Sequence, residues 1–366
     1  MRLPRPPSPR VRPRQPSQRA KETGRRDVLL IERWPGLGTI PRVPLVDTPT
    51  PVTHLEGVSA RAGTAVYAKR DDATAERYGG NKVRKLEWLL GDAREKGARS
   101  IVTVGGYGSH HCLATAIYGA QEGFEVHAVL FPQPSSPHVS EVKRAMIAAG
   151  AKVTTVRTAA AVPFAIAKKV ARLKIGGASP YLIGPGGSTP IGTLGYVAAG
   201  VELARQIDEG EIPEPAAIFL AAGSGGTASG LAIGLAAAGL VTPIVAVRVT
   251  GPLAINGPTL SRLVQNTVSL IRFHDGRFPI VANEAVRAIV IDGRHRGPAY
   301  GASTGAGEHA TSLAGGDDLR LDPTYTAKAF AALLDAARDQ TYDGPLLFVS
   351  TLSSAPFGPL LTNALG

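Results

Sequence analysis

From Ala65 onward, short apolar, β-branched runs alternate with longer stretches of helical periodicity. Ala65–Arg70 reads as a strand closed by Asp71-Asp72, and Val83–Lys96 reads as a helix. Ser100–Val104 predicts a strand ending at Gly105-Gly106, followed by a helix over His110–Glu122 and a strand over Glu125–Leu130. The alternation continues with a helix from His138 to Gly150, a strand Lys152–Val156, a helix Ala159–Lys174, and a strand Pro180–Ile183. After the helix Ile191–Ile207 come the strand Ala216–Ala221, the helix Thr227–Ala238 and the strand Pro243–Val249. A helix over 258–272, a strand over 288–291, helices near 303–314 and 325–339, and a strand Leu346–Val349 complete the series. Repeated βα units with short apolar strands predict an α/β fold, with mainly parallel sheets covered by helices on both faces.

The first residues break this pattern. Six prolines fall among the first 16 residues and exclude a helix there. Residues 1–26 hold eight Arg and one Lys against one Glu, so +8 of the chain's net +11 sits in this tail. The basic excess is therefore no binding face, which argues against nucleic acid as a partner. We expect residues 1–39 to be disordered and the ordered chain to start near Ile40. The Arg-rich composition resembles an organelle transit peptide, but the prolines spoil the amphipathic helix. At 366 residues the chain is long enough for one large or two medium domains. A single cysteine, Cys112, excludes an internal disulfide framework. No apolar run reaches the roughly 18 residues that span a bilayer. A cytoplasmic location is expected.

The candidate chemistry centres on Tyr78-Gly79-Gly80-Asn81-Lys82-Val83-Arg84-Lys85-Leu86-Glu87. A lysine at a helix start faces the positive end of the helix dipole, which favours its neutral form. A neutral lysine can condense with an aldehyde cofactor. Gly105-Gly106-Tyr107-Gly108-Ser109-His110-His111 is a strand end turning into a helix start, where backbone N–H groups bind anions. Ser109 also suits a helix N-cap without any chemistry. His110-His111-Cys112 are consecutive on a helix and point apart, so no metal site is expected. Ala221-Ala222-Gly223-Ser224-Gly225-Gly226-Thr227 follows a strand and opens a helix, which is the arrangement of a phosphate cradle. A dinucleotide site is disfavoured, because no acidic residue follows near Val245–Arg248. Gly186-Gly187-Ser188-Thr189-Pro190-Ile191-Gly192 reads mainly as a tight turn with helix packing.

Together these motifs resemble those of the 1-aminocyclopropane-1-carboxylate (ACC) deaminase / D-cysteine desulfhydrase family. These are pyridoxal-phosphate (PLP) enzymes of fold type II, the tryptophan-synthase-β fold. The resemblance implies that Lys82 carries PLP beside Asn81, with Gly223, Ser224, Gly225, Gly226 and Thr227 around its phosphate. It implies that Ser109 moves a proton or holds the substrate carboxylate, with His110 and His111 at the substrate and His110 also at the cofactor. His110 stands where the family has asparagine, and it could still donate a hydrogen bond to the cofactor phenolate. Tyr300 and Tyr325 are implied to line the active site with catalytic roles, and Thr326 to lie near the pyridine nitrogen. Thr351 aligns with the residue that bonds that nitrogen, while Leu352 and Ser353 replace two family glycines. By the same resemblance, 40–82 with 200–366 form a large cofactor domain, 83–199 form a small α/β domain, and the chain is a homodimer.

The function so implied is a lyase or deaminase on a small amino acid. Threonine rather than glutamate at position 326 favours D-cysteine desulfhydrase-like α,β-elimination, giving pyruvate, ammonia and sulfide. ACC deamination, racemisation, β-replacement and a non-catalytic PLP-binding homologue are the alternatives.

Overall fold

The computed structural model describes residues 29–362. Among the described residues, ten strands form two sheets. Val52–His54 (β1), Val66–Lys69 (β2), Ala217–Ala222 (β7), Ile244–Arg248 (β8), Ile289–Asp292 (β9) and Leu346–Val349 (β10) make the larger one, in the order β1-β2-β10-β7-β8-β9. Only β1 runs antiparallel to its neighbour. Ser100–Gly106 (β3), Glu125–Phe131 (β4), Lys152–Thr155 (β5) and Pro180–Ile183 (β6) make an all-parallel sheet ordered β5-β4-β3-β6. Every residue of β7 and β10 is buried, which explains their unbroken apolar sequences, Ala-Ile-Phe-Leu-Ala-Ala and Leu-Leu-Phe-Val.

The helix Asn81–Glu95 joins the two bodies. Its Trp88 belongs to the core on one face of the larger sheet, while Val83, Leu86, Leu89 and Leu90 belong to the core of the smaller sheet. It crosses the helix Pro190–Asp208 at Gly195, where a Cβ would lie 2.0 Å from the Arg84 carbonyl oxygen. Only glycine permits that approach.

The ordered chain begins before the expected Ile40. Leu29–Arg33 is helical and Pro35–Thr39 forms a 3-10 turn, with Leu30, Trp34 and Leu37 buried. Trp34 packs on Phe278 with ring centroids 4.7 Å apart, and the Gly36 amide donates to Asp275 Oδ2 at 3.0 Å. An aromatic anchor and two leucines supply the burial that the proline-rich reading overlooked. Residues 1–28, which carry the rest of the disorder expectation, lie outside the described residues. Among the described residues, no helix is long and apolar enough to cross a membrane.

Candidate active site

The C-terminal ends of β3, β4, β7 and β10 converge on a cavity of about 400 Å³ between the two sheets. This is where open α/β sheets bind ligands. Lys82 reaches it from the start of the helix Asn81–Glu95. Gly80, at φ +92°, makes that helix entry, and a Cβ there would meet the Thr351 carbonyl oxygen at 2.8 Å. Lys82 Nζ donates to Asn81 Oδ1 at 2.6 Å, and Asn81 Nδ2 donates to Thr227 Oγ1 at 3.0 Å. The lysine is thus tethered to the glycine turn. Among the described residues no carboxylate pairs with it, and desolvation lowers its pKa to about 8.

A second lysine, Lys85, lies one turn on along the same helix and lines the same cavity. Its Nζ donates to the Gly186 carbonyl at 3.2 Å and to Ser188 Oγ at 3.3 Å. Burial first, then the charge of Lys82, holds its pKa well below the ordinary lysine value. Ser188 Oγ also bonds Ser224 Oγ at 2.8 Å and accepts from the Gly226 amide at 3.0 Å. Gly223, Ser224, Gly225 and Thr227 line the cavity, and Gly225, in the left-handed region, caps the helix Gly226–Ala237. Gly226 itself turns to Ser188, which corrects the expectation that all five residues face the site. The 186–189 turn, read mainly as packing, supports the glycine loop directly. Lys85 was legible in principle, because three residues along a helix share a face.

Ser109 lines the cavity and caps the helix His110–Gln121, its Oγ accepting from the Cys112 amide at 3.2 Å. His111 lines the cavity with Nε2 3.2 Å from Thr103 Oγ1, and burial drives its pKa to about 3. His110 lines it too, but both ring nitrogens are engaged, Nδ1 with the Tyr78 hydroxyl and Nε2 with His138 Nε2 at 2.9 Å. The expected donation from His110 to a cofactor oxygen therefore has no free nitrogen to make it. No cluster of three or more His, Cys, Asp or Glu among the described residues is placed to hold a metal.

Tyr300 and Tyr325 close the opposite wall, and their hydroxyls hydrogen-bond each other. Burial pushes the Tyr300 phenol up to about 12 and raises that of Tyr325 well above its ordinary value. Thr351 and Leu352 also line the cavity, while Ser353 Oγ accepts the Gly79 amide at 2.9 Å and so braces the lysine turn. Thr326 is a correction. It is buried behind the wall, its hydroxyl donating to Asp322 Oδ1 at 2.7 Å, and it does not line the cavity. Asp322 does, and it was missed. Its carboxylate accepts the amides of Thr324, Tyr325 and Thr326 at 2.9–3.0 Å, as an acidic residue ahead of a helix would. It is the one carboxylate among the residues lining the cavity.

A family model described as "pyridoxal-phosphate dependent enzyme" matches residues 43–351. The chain is 35% identical to nocardicin C-9' epimerase of Nocardia uniformis subsp. tsuyamanensis, over 88% of this chain and 97% of that one. It is 32% identical to D-cysteine desulfhydrase of Salmonella newport (strain SL254), over 86% of this chain and 94% of the relative. The crystal structure of an ACC deaminase homologue superposes with a TM-score of 0.75 at 31% identity, covering 91% of this chain and 98% of that one.

Proposed function

The chain belongs to the pyridoxal-phosphate dependent enzymes, in the ACC deaminase/D-cysteine desulfhydrase group of fold type II, and from that premise we propose that it eliminates a β-substituent from a small amino acid, in the manner of D-cysteine desulfhydrase. The observation that carries the reading is Lys82, an amine of lowered pKa without a paired carboxylate, tied through Asn81 to the 223–227 glycine turn.

The residues fit the cofactor. Lys82 is the amine to hold its aldehyde. Lys85, Ser224 and the Gly225 turn at a helix N-terminus suit its phosphate. Thr351 lines the cavity and would offer a hydroxyl to its ring nitrogen, where a hydroxyl would not enforce protonation as a carboxylate would. When bound, PLP supplies an aldehyde for the substrate amine and a conjugated ring that takes up the electron pair left at Cα. Lys82 Nζ, or Ser109 Oγ, takes the α-proton. The start of the helix His110–Gln121 presents backbone N–H groups to the substrate carboxylate. The phenols of Tyr300 and Tyr325 remain protonated; one donates to the other, which leaves one O–H as a donor on the substrate side. Water then releases pyruvate and ammonia, with sulfide as the departed group when the substrate is D-cysteine.

Purified enzyme given D-cysteine is expected to release sulfide and pyruvate in equal amounts; neither product would remove the elimination claim. A second reading is supported by the 35% identity to an epimerase. It keeps the same α-proton removal but returns the proton to the other face. Chiral analysis of recovered amino acids separates the two, since epimerisation leaves the β-substituent in place. A cytoplasmic homodimer is the assembly we propose, to be read from the mass of the purified protein in solution.

A further inference from the structure

Four segments meet beside the cavity in a contact that the chemistry above does not use. The Tyr78 hydroxyl bonds His110 Nδ1, and His110 Nε2 faces His138 Nε2 at 2.9 Å. The imidazole centroids are 5.0 Å apart, and the Phe357 ring lies against both, at 6.4 and 5.9 Å. Tyr78 is buried, its carbonyl accepts the Tyr118 hydroxyl at 2.7 Å, and it leads directly into Gly79-Gly80-Asn81-Lys82.

A nitrogen-to-nitrogen contact of this length holds one proton. One Nε2 must donate and the other must offer a lone pair. With His110 Nε2 bare, its Nδ1–H donates to Tyr78; with His110 Nε2–H present, Nδ1 accepts from Tyr78. One charged ring is tolerated where its Nε2–H is the donor, a charged His110 then also donating from Nδ1 to Tyr78. Two imidazolium rings place two N–H bonds and two charges head to head.

We propose that His110 and His138 are positioning residues, forming a one-proton latch that fixes Tyr78 and through it the Gly79–Lys82 turn, and that charging both rings opens it. The latch rests on Lys82 being the cofactor-bearing amine. Burial disfavours the cation on both rings, taking His110 to about 3 and His138 below its ordinary value. Asp322 favours charge on both, and Glu141 on His138; Lys82 opposes it at His110, and Arg320 at both rings. Tyr78 stays neutral because burial raises its phenol. The latch is therefore closed at neutral pH and opens in acid.

The test measures PLP affinity by absorbance from pH 8 down to pH 3, where His110 takes its proton, for wild type and for His138→Gln. Glutamine can still donate to His110 Nε2 but carries no charge. The ratio of the two affinities cancels the contribution of Lys82, which both proteins share. Wild type is expected to match H138Q at neutral pH and to fall behind it only toward the acid end, where the second ring charges. Parallel curves overturn the latch. Absence of PLP binding by wild type at every pH instead overturns the cofactor reading. A second measurement needs neither cofactor nor variant: long-range nitrogen–proton spectra of ¹⁵N-histidine-labelled wild type at pH 7.5. One protonated and one bare Nε2 are expected in this pair. Two bare or two protonated nitrogens overturn the latch.

Discussion

The two sides of the helix Asn81–Glu95 treat buried cations in opposite ways. On one side Arg84 is enclosed by carboxylates, 2.8 Å from Asp71 Oδ1 and 3.0 Å from Glu202 Oε2. Lys69 joins the same network through Glu202, and Tyr196 donates to Asp71 Oδ2 at 2.6 Å. At Arg84, attraction and hydrogen bonding outweigh desolvation and the pKa rises well above its ordinary value, whereas at Lys69 burial outweighs Glu202 and the pKa falls. On the other side Lys82 and Lys85 face the cavity, desolvation dominates, and both pKa values fall. The sequence spacing is only two residues. A buried cation with carboxylate partners holds the fold together; one left without them is kept reactive.

Substitutions on the two sides should break different properties. Lys82→Ala is expected to cost roughly 10³- to 10⁶-fold in turnover, with no loss of thermal stability, because it removes a charge that burial disfavours. Steady-state rates and melting curves together check this. Ser109→Ala lies on the same side but has two duties. Losing the cap costs about 1 kcal/mol of stability, and losing a proton-transfer group costs about 10²- to 10⁴-fold in kcat. If kcat holds while the melting temperature drops, Ser109 is a cap alone. Arg84→Met should do the reverse of Lys82→Ala, since it strands Asp71 and Glu202 and costs about 3–5 kcal/mol, read by denaturant unfolding of the cofactor-free protein. A further effect is a pH signature. Lys82 titrates at about 8 in the fold against 10.5 for the free side chain. Between these values the unfolded chain binds the extra proton, so folded stability rises with pH across this window and is lost as pH falls to 8. The stability advantage of Lys82→Met over wild type should therefore shrink from pH 8 to pH 10.5. A constant difference would show that the amine is not desolvated.

Much of this contrast was legible from residue order. The βα alternation yields the two sheets because parallel strands, buried on both faces, leave continuous apolar runs such as Ala217–Ala222 and Leu346–Val349. The lysine turn and the glycine turn are each local, and each follows from glycine beside a helix start. What stayed hidden depends on partners far away in sequence. Ser188 reaches Ser224 across 36 positions, and Ser353 braces Gly79 across 274. Asp322 enters the cavity while Thr326 retires behind it, a choice set by how the 322–326 turn packs rather than by residue type. His110 is held by Tyr78 and His138, 32 and 28 positions away, partners that no local pattern announces.

The account turns on which of two neighbouring cavity lysines, Lys82 or Lys85, receives the aldehyde. Reduction of the PLP-loaded enzyme with borohydride, followed by mass mapping of the peptides, reads this directly. The account predicts the pyridoxyl group on Lys82 and an unmodified Lys85. A label on Lys85, or on a lysine outside the cavity, would contradict it.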